Sequence, residues 1–440
     1  MIKFIFGLTC LMLFTPESHA QDSTSRFSIH AQATYIVQHK NAFKAPYSGE
    51  HSLLTTAETQ TSITSTLFMA MRLWKGSSIV LNPEIAGGSG LSQVYGLASA
   101  TNGETFRIGS PSPKLYVARL YYRQLFPLSR KYTSQDEGFN QLKQQVPESY
   151  FAFTIGKVSI ADFFDQNSYS HDPRTQFMNW ALMSNGAWDY AANTRGYTPS
   201  FIMEYSSPKL DLRYAYSLEP IIANGSKMDW NVHKSGAQVL ELTRRLTLQN
   251  KPATLRVLGF YNRANMGDYR QAISRTSSEG VAAITGLEAT RSYNNHKYGF
   301  AINTEKEISD DLGAFVRVAW NDARKETWAF TEIDRSVSGG FSLKGNKWKR
   351  AEDVFGIGGA IAGISKDHQA YLNAGGNGFM LGDGKLNYKP EKIGEMYYSA
   401  NLKSENIFLT AGYQIILNPG YNSDRKAPVS VFSLRTHFSI

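Results

Sequence analysis

Long apolar runs are missing. Beyond the first twenty of its 440 residues, no stretch approaches the roughly 18 consecutive apolar residues that a membrane helix requires, which excludes a helical membrane protein. Cysteine is almost absent. The single one, Cys10, lies inside an N-terminal apolar segment, so the rest of the chain has no disulfide, thiolate metal ligand or thiol nucleophile. Charge is scarce at 19%, against 42% hydrophobic and 13% aromatic residues, the reverse of a disordered composition. Length alone admits two or three soluble domains or one large β-domain. What survives is a soluble globular protein or a membrane β-barrel, whose composition resembles that of a soluble protein.

The N-terminal segment reads as a secretory signal. Lys3 supplies the positive start, residues 5–14 an apolar run within the range of about 7–15 for such signals, Pro16 ends it, and Ser18-His19-Ala20 place small residues before the cleavage point. Residues 1–20 are therefore expected to be removed, leaving 21–440 as one barrel domain. Cys10 is not a lipid anchor, because Leu11 to Phe14 continue the apolar run past it. Removal of Lys3 and Glu17 takes one charge of each sign and leaves the net charge at +9.

The remainder alternates apolar and polar residues over stretches of about ten, the period of a half-buried strand. Tyr298, Phe300 and Ile302 oppose Gly299, Ala301 and Asn303; Val316, Val318 and Trp320 oppose Phe315, Arg317 and Asn321; Phe432, Leu434 and Phe438 oppose Ser433, Arg435 and His437. A sandwich core could not hold Arg119, Arg213, Arg317 and Arg435 on faces opposite exposed Leu and Tyr. A barrel with apolar residues toward lipid and polar residues toward a watery lumen can. These four arginines are expected to line the lumen and to bias it against cations. Aromatic residues near strand ends, Tyr121, Tyr122, Phe126, Tyr150, Phe151, Trp320, Tyr397, Tyr398 and Phe438, suit the interfacial girdles of such a barrel.

Short and long connections alternate. Tight ones fall at 74–77, 206–208, 249–252, 307–311 and 403–406, and Gly- and Asn-rich long ones at 41–61, 86–114, 158–199, 263–296 and 365–393. Short periplasmic and long extracellular connections are the pattern of outer-membrane barrels; 127–148 is the exception, long where a turn belongs. About sixteen strands are predicted to begin near residues 27, 62, 78, 115, 149, 198, 209, 237, 253, 297, 312, 336, 353, 394, 407 and 429. The expected fold is thus all-β, a transmembrane antiparallel barrel of about sixteen strands with long extracellular loops. A barrel of that size leaves an aqueous channel, whose selectivity depends on what narrows it.

The third long loop, 158–199, is the candidate. It is too aromatic for a water-bathed loop, with Phe163, Phe164, Phe177, Trp180, Trp188 and Tyr190, and is expected to fold into the barrel. Residues 175–183 are predicted to form a short helix, with Asp172 as its cap and Pro173 in its first turn. Asp162, Asp165, His171, Asp172, Arg174, Asn179, Trp180, Trp188 and Arg195 are the predicted constriction residues. Aromatic faces beside charges and amides match the C–H faces and hydroxyl rims of sugars. The plainer alternative is that aromatics and Arg/Asp pairs only pin the loop to the wall.

Several stretches are similar to the carbohydrate-selective porins of the OprB type: GKVSIADFFDQNSYSHDPRTQFMNWALMSNGAWDYAANTRGYT from Gly156, YNRANMGDYRQA from Tyr261, SDDLGAFVRVAWNDARKETWAFTEIDRSVSGGFSLKG from Ser309, HQAYLNAGGNGFMLGDGKLNYKPE from His368 and AGYQIILNPGYNSDRKAPVSVFSLRTHFSI from Ala411. The resemblance is ordered along most of the chain. It implies a sixteen-stranded outer-membrane barrel passing sugars such as glucose through a basic, aromatic-lined constriction. The opening FSIHAQATYIVQHKNAFKAPYSG resembles a manganese-porin branch of similar sequences. The C-terminal Ile440 departs from the terminal Phe usual in barrel proteins, which concerns the signal read by the barrel-assembly machinery.

Other function classes find less support. There is no G-x-S-x-G, H-E-x-x-H or P-loop, so no enzyme chemistry or cofactor is expected. Asp162, Asp165, His171 and Asp172 could form a transient oxygen-rich cation site, opposed by the lumenal arginines. A structural anchor would require a plugged lumen. Basic residues are scattered, which argues against nucleic acid. The partners expected are small sugars or other small hydrophilic solutes and outer-membrane lipid; a homo-oligomer is compatible with the sequence.

Overall fold

The computed structural model describes residues 25–105, 111–281, 283–402, 406–426 and 428–440. The expected signal segment with Cys10, and most of the tight turn at 403–406, lie outside the described residues. Alternation of apolar and polar residues is realised as strands. They are β1 (Phe27–Lys40), β2 (Glu58–Arg72), β3 (Ser77–Gly88), β4 (Lys114–Pro127), β5 (Tyr132–Gln135), β6 (Gln144–Pro147), β7 (Tyr150–Val158), β8 (Thr198–Ser206) and β9 (Leu210–Ser217) in the first half. The second half holds β10 (Gly236–Leu248), β11 (Lys251–Arg263), β12 (His296–Glu307), β13 (Leu312–Asn321), β14 (Arg335–Gly345), β15 (Arg350–Gly363), β16 (Glu391–Asn401), β17 (Ile407–Leu417) and β18 (Val429–Ser439).

All but β5 and β6 close into one antiparallel barrel of sixteen strands, in which β4 pairs with β7 and β18 returns to β1. Closure leaves no unpaired sheet edge, which lipid would not tolerate. The seam runs from Gln32↔Ser439 to Lys40↔Val431, and Ile440 extends it by exchanging backbone bonds of 2.8 and 2.9 Å with Ala31. Every predicted strand start lies within four residues of the observed one. β5 and β6 form a separate hairpin inside the long connection that the alternation marked as exceptional.

Side chains divide as the barrel requires. Val316, Val318, Trp320, Leu212, Phe432 and Leu434 face outward and are exposed, whereas Arg317, Asn303, Asp211 and Arg435 face inward and are buried. Two residues assigned to the aromatic girdle turn inward instead: Tyr121 and Tyr397 are buried, each on the same strand face as a lumenal polar neighbour.

The lumen is not the wide aqueous channel expected of sixteen strands. Large apolar side chains fill much of it, including Phe164, Phe177, Trp188, Trp328, Tyr269, Tyr371 and Tyr421, all fully buried. They come from the loops at residues 159–197, 322–334 and 418–426 and from two helices, Tyr269–Glu279 and Lys366–Asn373. Phe177 shows how the wall receives them. It packs edge-on against Phe315 and Tyr397, at 5.5 and 5.1 Å between ring centroids. Gly358 on β15 makes room for it, since a Cβ there would lie 3.2 Å from the Phe177 ring.

Candidate pore constriction

The loop 159–197 is tied to the inner wall by charged side chains acting on its backbone. Glu395 of β16 accepts the N–H groups of Met178 and Asn179, at 2.7 and 2.9 Å. Glu241 of β10 accepts that of Asp165 at 2.7 Å. Arg435 of β18 donates to the carbonyls of Pro173 and Gln176, at 2.7 and 2.8 Å. Arg317 of β13 donates to the carbonyls of Leu182 and Ser170 and lies 3.4 Å from Asp165. Each buried loop amide needs a partner, and the strands supply it.

This anchoring corrects the helix expectation. The helix is a single turn at Trp180–Met183, capped by Asn179, whose side chain accepts the Ala181 N–H. Residues 173–176 make a separate single turn on Asp172, whose side chain accepts the Arg174 N–H at 3.0 Å and whose carbonyl accepts the Gln176 N–H at 2.8 Å. The wall's Arg435 and Glu395 satisfy the backbone groups that a longer helix would have bonded internally.

It also sorts the predicted site residues. Asp165, Asn179 and Trp188 are buried in the loop's attachment. Asp165 accepts from Asn185 and Asn303, Asn179 bonds Gln414, and Trp188 packs against Phe164 and Tyr190. Arg317 and Arg435 point inward, as the alternation implied, but lie beneath the loop at 1% exposure rather than facing open lumen. Arg213 also points inward and is matched by Glu204, Asp211 and Glu241. For these residues the plainer alternative, pinning, accounts for the observed contacts.

The rest converge on a cavity of about 580 Å³ between the loop and the inner faces of β1 to β4, lined by Asp162, His171, Asp172, Arg174, Trp180, Arg195 and Arg119. Arg174 bridges two acids of its lining. Its guanidinium donates to Glu104 at 2.9 Å, Glu84 at 3.1 Å and Thr66 at 3.2 Å. Burial opposes the charge of Arg174, but Glu104 and Glu84 raise its pKa well above the ordinary arginine value. Glu84 also accepts from Thr66 at 2.6 Å, from Tyr197 at 3.0 Å and from Tyr116. Arg119 forms a two-point pair with Asp162, at 2.6 and 2.7 Å, the strong planar geometry of arginine and carboxylate. Arg195 lies 4.0 Å over the Tyr116 ring. On the loop side Trp180, Phe330 and Tyr190 form a stack, with centroids 4.5 and 4.7 Å apart.

Glu84, Glu104, Tyr116 and Phe330 escaped the sequence analysis. Glu84 carried a signal, an acid on the inward face of β3; Glu104 and Phe330 come from other loops and carried none. They alter the electrostatics. Three arginines, Arg119, Arg174 and Arg195, face four carboxylates, Glu84, Glu104, Asp162 and Asp172, along the lining. The expected bias against cations is therefore corrected, because opposite charges pair at contact distance. The manganese alternative gains nothing from this. Each acid already has partners, and among the described residues no group of three or more His, Cys, Asp or Glu is placed to hold a metal ion.

Solved structures share the fold. Pseudomonas putida OprB at high pH matches with a TM-score of 0.71 at 15% identity, over 95% of this chain and 94% of that one. The low-pH structure of the same porin matches with a TM-score of 0.50 at 10% identity, over 95% and 93%. No curated protein sequence matches. The model of the carbohydrate-selective porin family, OprB, aligns with residues 50–440. Since that alignment takes in every barrel strand but β1, the chain belongs to the OprB family of carbohydrate-selective porins.

Proposed function

We propose that residues 1–20 direct export and are removed, and that residues 21–440 form an outer-membrane porin passing small neutral sugars through the cavity beside β1 to β4. The observation that carries this is the Glu84–Arg174–Glu104 cluster across a cavity of about 580 Å³, a volume suited to a small ligand. Its charges are mutually matched, so an ion gains little there. A polyol can take hydrogen bonds from guanidinium N–H groups and donate them to carboxylates, and the Trp180–Phe330–Tyr190 stack offers an apolar margin to its C–H face. Passage is passive.

Liposome swelling in glucose, against uptake of MnCl2, tests the reading. The wild type is expected to admit glucose with saturation. Arg174→Ala removes charge-assisted hydrogen bonds of about 1.5–3 kcal/mol and is expected to weaken half-saturation about tenfold or more. It also leaves Glu84 and Glu104 unmatched, so relative cation permeability should rise. Unchanged glucose saturation in Arg174→Ala would remove this cavity from the sugar path.

A further inference from the structure

The connection from β4 to β7 lies on the side of the barrel that carries the short turns and both ends of the chain, the periplasmic side in bacterial barrels. It does not stay outside. The β5–β6 hairpin pairs from Tyr132↔Pro147 to Gln135↔Gln144, and the residues between these strands turn up into the lumen. Leu142 is 4% exposed and belongs to the same buried cluster as Phe68, Ala70, Val80 and Tyr121 of the inner wall. The Phe139 ring packs 6.1 Å from His30 and 6.5 Å from Phe68. Arg72 of β2 donates to the Lys143 carbonyl at 2.8 Å, and Asn82 of β3 donates to the Asn140 side chain at 2.8 Å. Within the tip, Gly138 and Gln141 exchange backbone bonds of 3.0 and 3.1 Å, and Gln141 donates to the Asp136 carbonyl at 2.6 Å. Asn140 adopts the left-handed conformation that closes the turn, with φ 57°.

This tip meets the sugar cavity. Phe139, Asn140 and Gln141 are part of its lining, together with Arg174 and Glu104. Asn82, which the tip engages, is the inward position next to Glu84 on β3, about 7 Å along the strand. The tip therefore stands between the charged cluster and the turn-side mouth.

We propose that Phe139, Asn140 and Gln141 form a second, uncharged filter at the periplasmic exit of the pore, specific for neutral hydroxylated solutes of about monosaccharide size. Two amides offer donors and acceptors without a charge to hold an ion, and the phenyl ring limits the width. A solute released by the Arg174 cluster exchanges its charged hydrogen bonds for neutral ones before leaving. The tip's own bonds to β2 and β3 hold it in place, so the filter is a fixed part of the wall.

The proposal rests on the sugar path above, but the two fail separately, because ionic conductance reads the tip whatever the solute. Among the described residues there is no cysteine, so Gln141→Cys places one thiol in the tip. In planar bilayers, a sulfonate-bearing thiol reagent added from the turn side should reduce single-channel conductance at least twofold. The same label on Ser134→Cys, an exposed hairpin position, should leave it unchanged. Phe139→Ala should raise conductance and increase sucrose swelling relative to glucose. Complete labelling of Gln141→Cys by mass without loss of conductance, or a Phe139→Ala pore with wild-type conductance and sugar ratio, would overturn the filter. Absence of glucose swelling in the wild type, with the block at 141 intact, would sink the sugar path and the filter's assignment to monosaccharides, and keep only the tip's place as the narrowing at the exit.

Discussion

His171 lies at the edge of the cavity, half-buried against solvent yet surrounded by protein. Gln166 reaches its ring at 3.0 Å. Desolvation, and then the Arg317 guanidinium, lower its pKa below the ordinary histidine value, against the opposing pull of Asp165, Asp172 and Asp162. A histidine held neutral by the fold contributes stability that is complete above its ordinary pKa, about 6.5, and is lost as pH falls below it, because the unfolded chain then binds the proton more readily. Neighbouring Asp172 has the opposite chemistry but the same direction with acid. Burial opposes its charge, yet Arg174 lowers its pKa, so its contribution is complete above the ordinary carboxylate range and lost only below it. Between pH 7 and 5 His171 is the loop group expected to respond. Thermal unfolding and channel noise compared at these two pH values should show an acid penalty in the wild type that His171→Gln reduces. An identical penalty in both proteins would place the sensitivity elsewhere.

At the scale of elements, the loop 159–197 behaves as an internal wall, and its stability depends on buried pairs made by distant parts of the chain. Arg317 and Asp165 are 152 residues apart in sequence. Arg317→Ala would leave Asp165 and the carbonyls of Ser170 and Leu182 without this cation, a loss of about 3–5 kcal/mol for breaking a buried pair. Urea unfolding in detergent should show it, accompanied by larger and noisier single-channel currents as the loop loosens. Wild-type stability would mean that Glu395, Glu241 and Arg435 hold the loop without it. The aromatic content of this loop announced that it folds inward. Which of its acids face solute and which face the wall was hidden, because that choice depends on strands far away in sequence. The same applies to the 127–148 connection, recognisable as an exception, whose entry into the lumen depends on Asn82 and Arg72.

At the scale of the whole molecule, lipid and barrel impose the strictest rule, since outward positions at the level of the hydrocarbon cannot carry an unpaired charge cheaply. Val316 is 49% exposed in the middle of β13, opposite Thr304 and Gly339 in the ladder. Val316→Arg should lower folding stability in lipid vesicles by about 2–4 kcal/mol, the cost of a lipid-facing arginine near the midplane. A neutral effect would place that level of the wall outside the hydrocarbon. The net charge of +9 has a different meaning at this scale. It does not accumulate in the lumen, where Arg119, Arg174, Arg213 and Arg317 each meet carboxylates.

The amino-acid sequence by itself determined the barrel. Strand pitch, the two-residue alternation and the spacing of turns are local, so the sixteen barrel strands could be placed to within a few residues, while the β5–β6 hairpin showed only as an overlong connection, and the family resemblance ran along the same segments. The lumen was decided only by tertiary structure. Whether Arg174 faces solute while Arg435 grips a loop backbone depends on which carboxylates and carbonyls the closed barrel brings within about 3 Å, and burial makes an unmatched charge too costly to leave unpaired. The sequence supplied both kinds of arginine in similar settings; barrel closure and loop packing gave them different work.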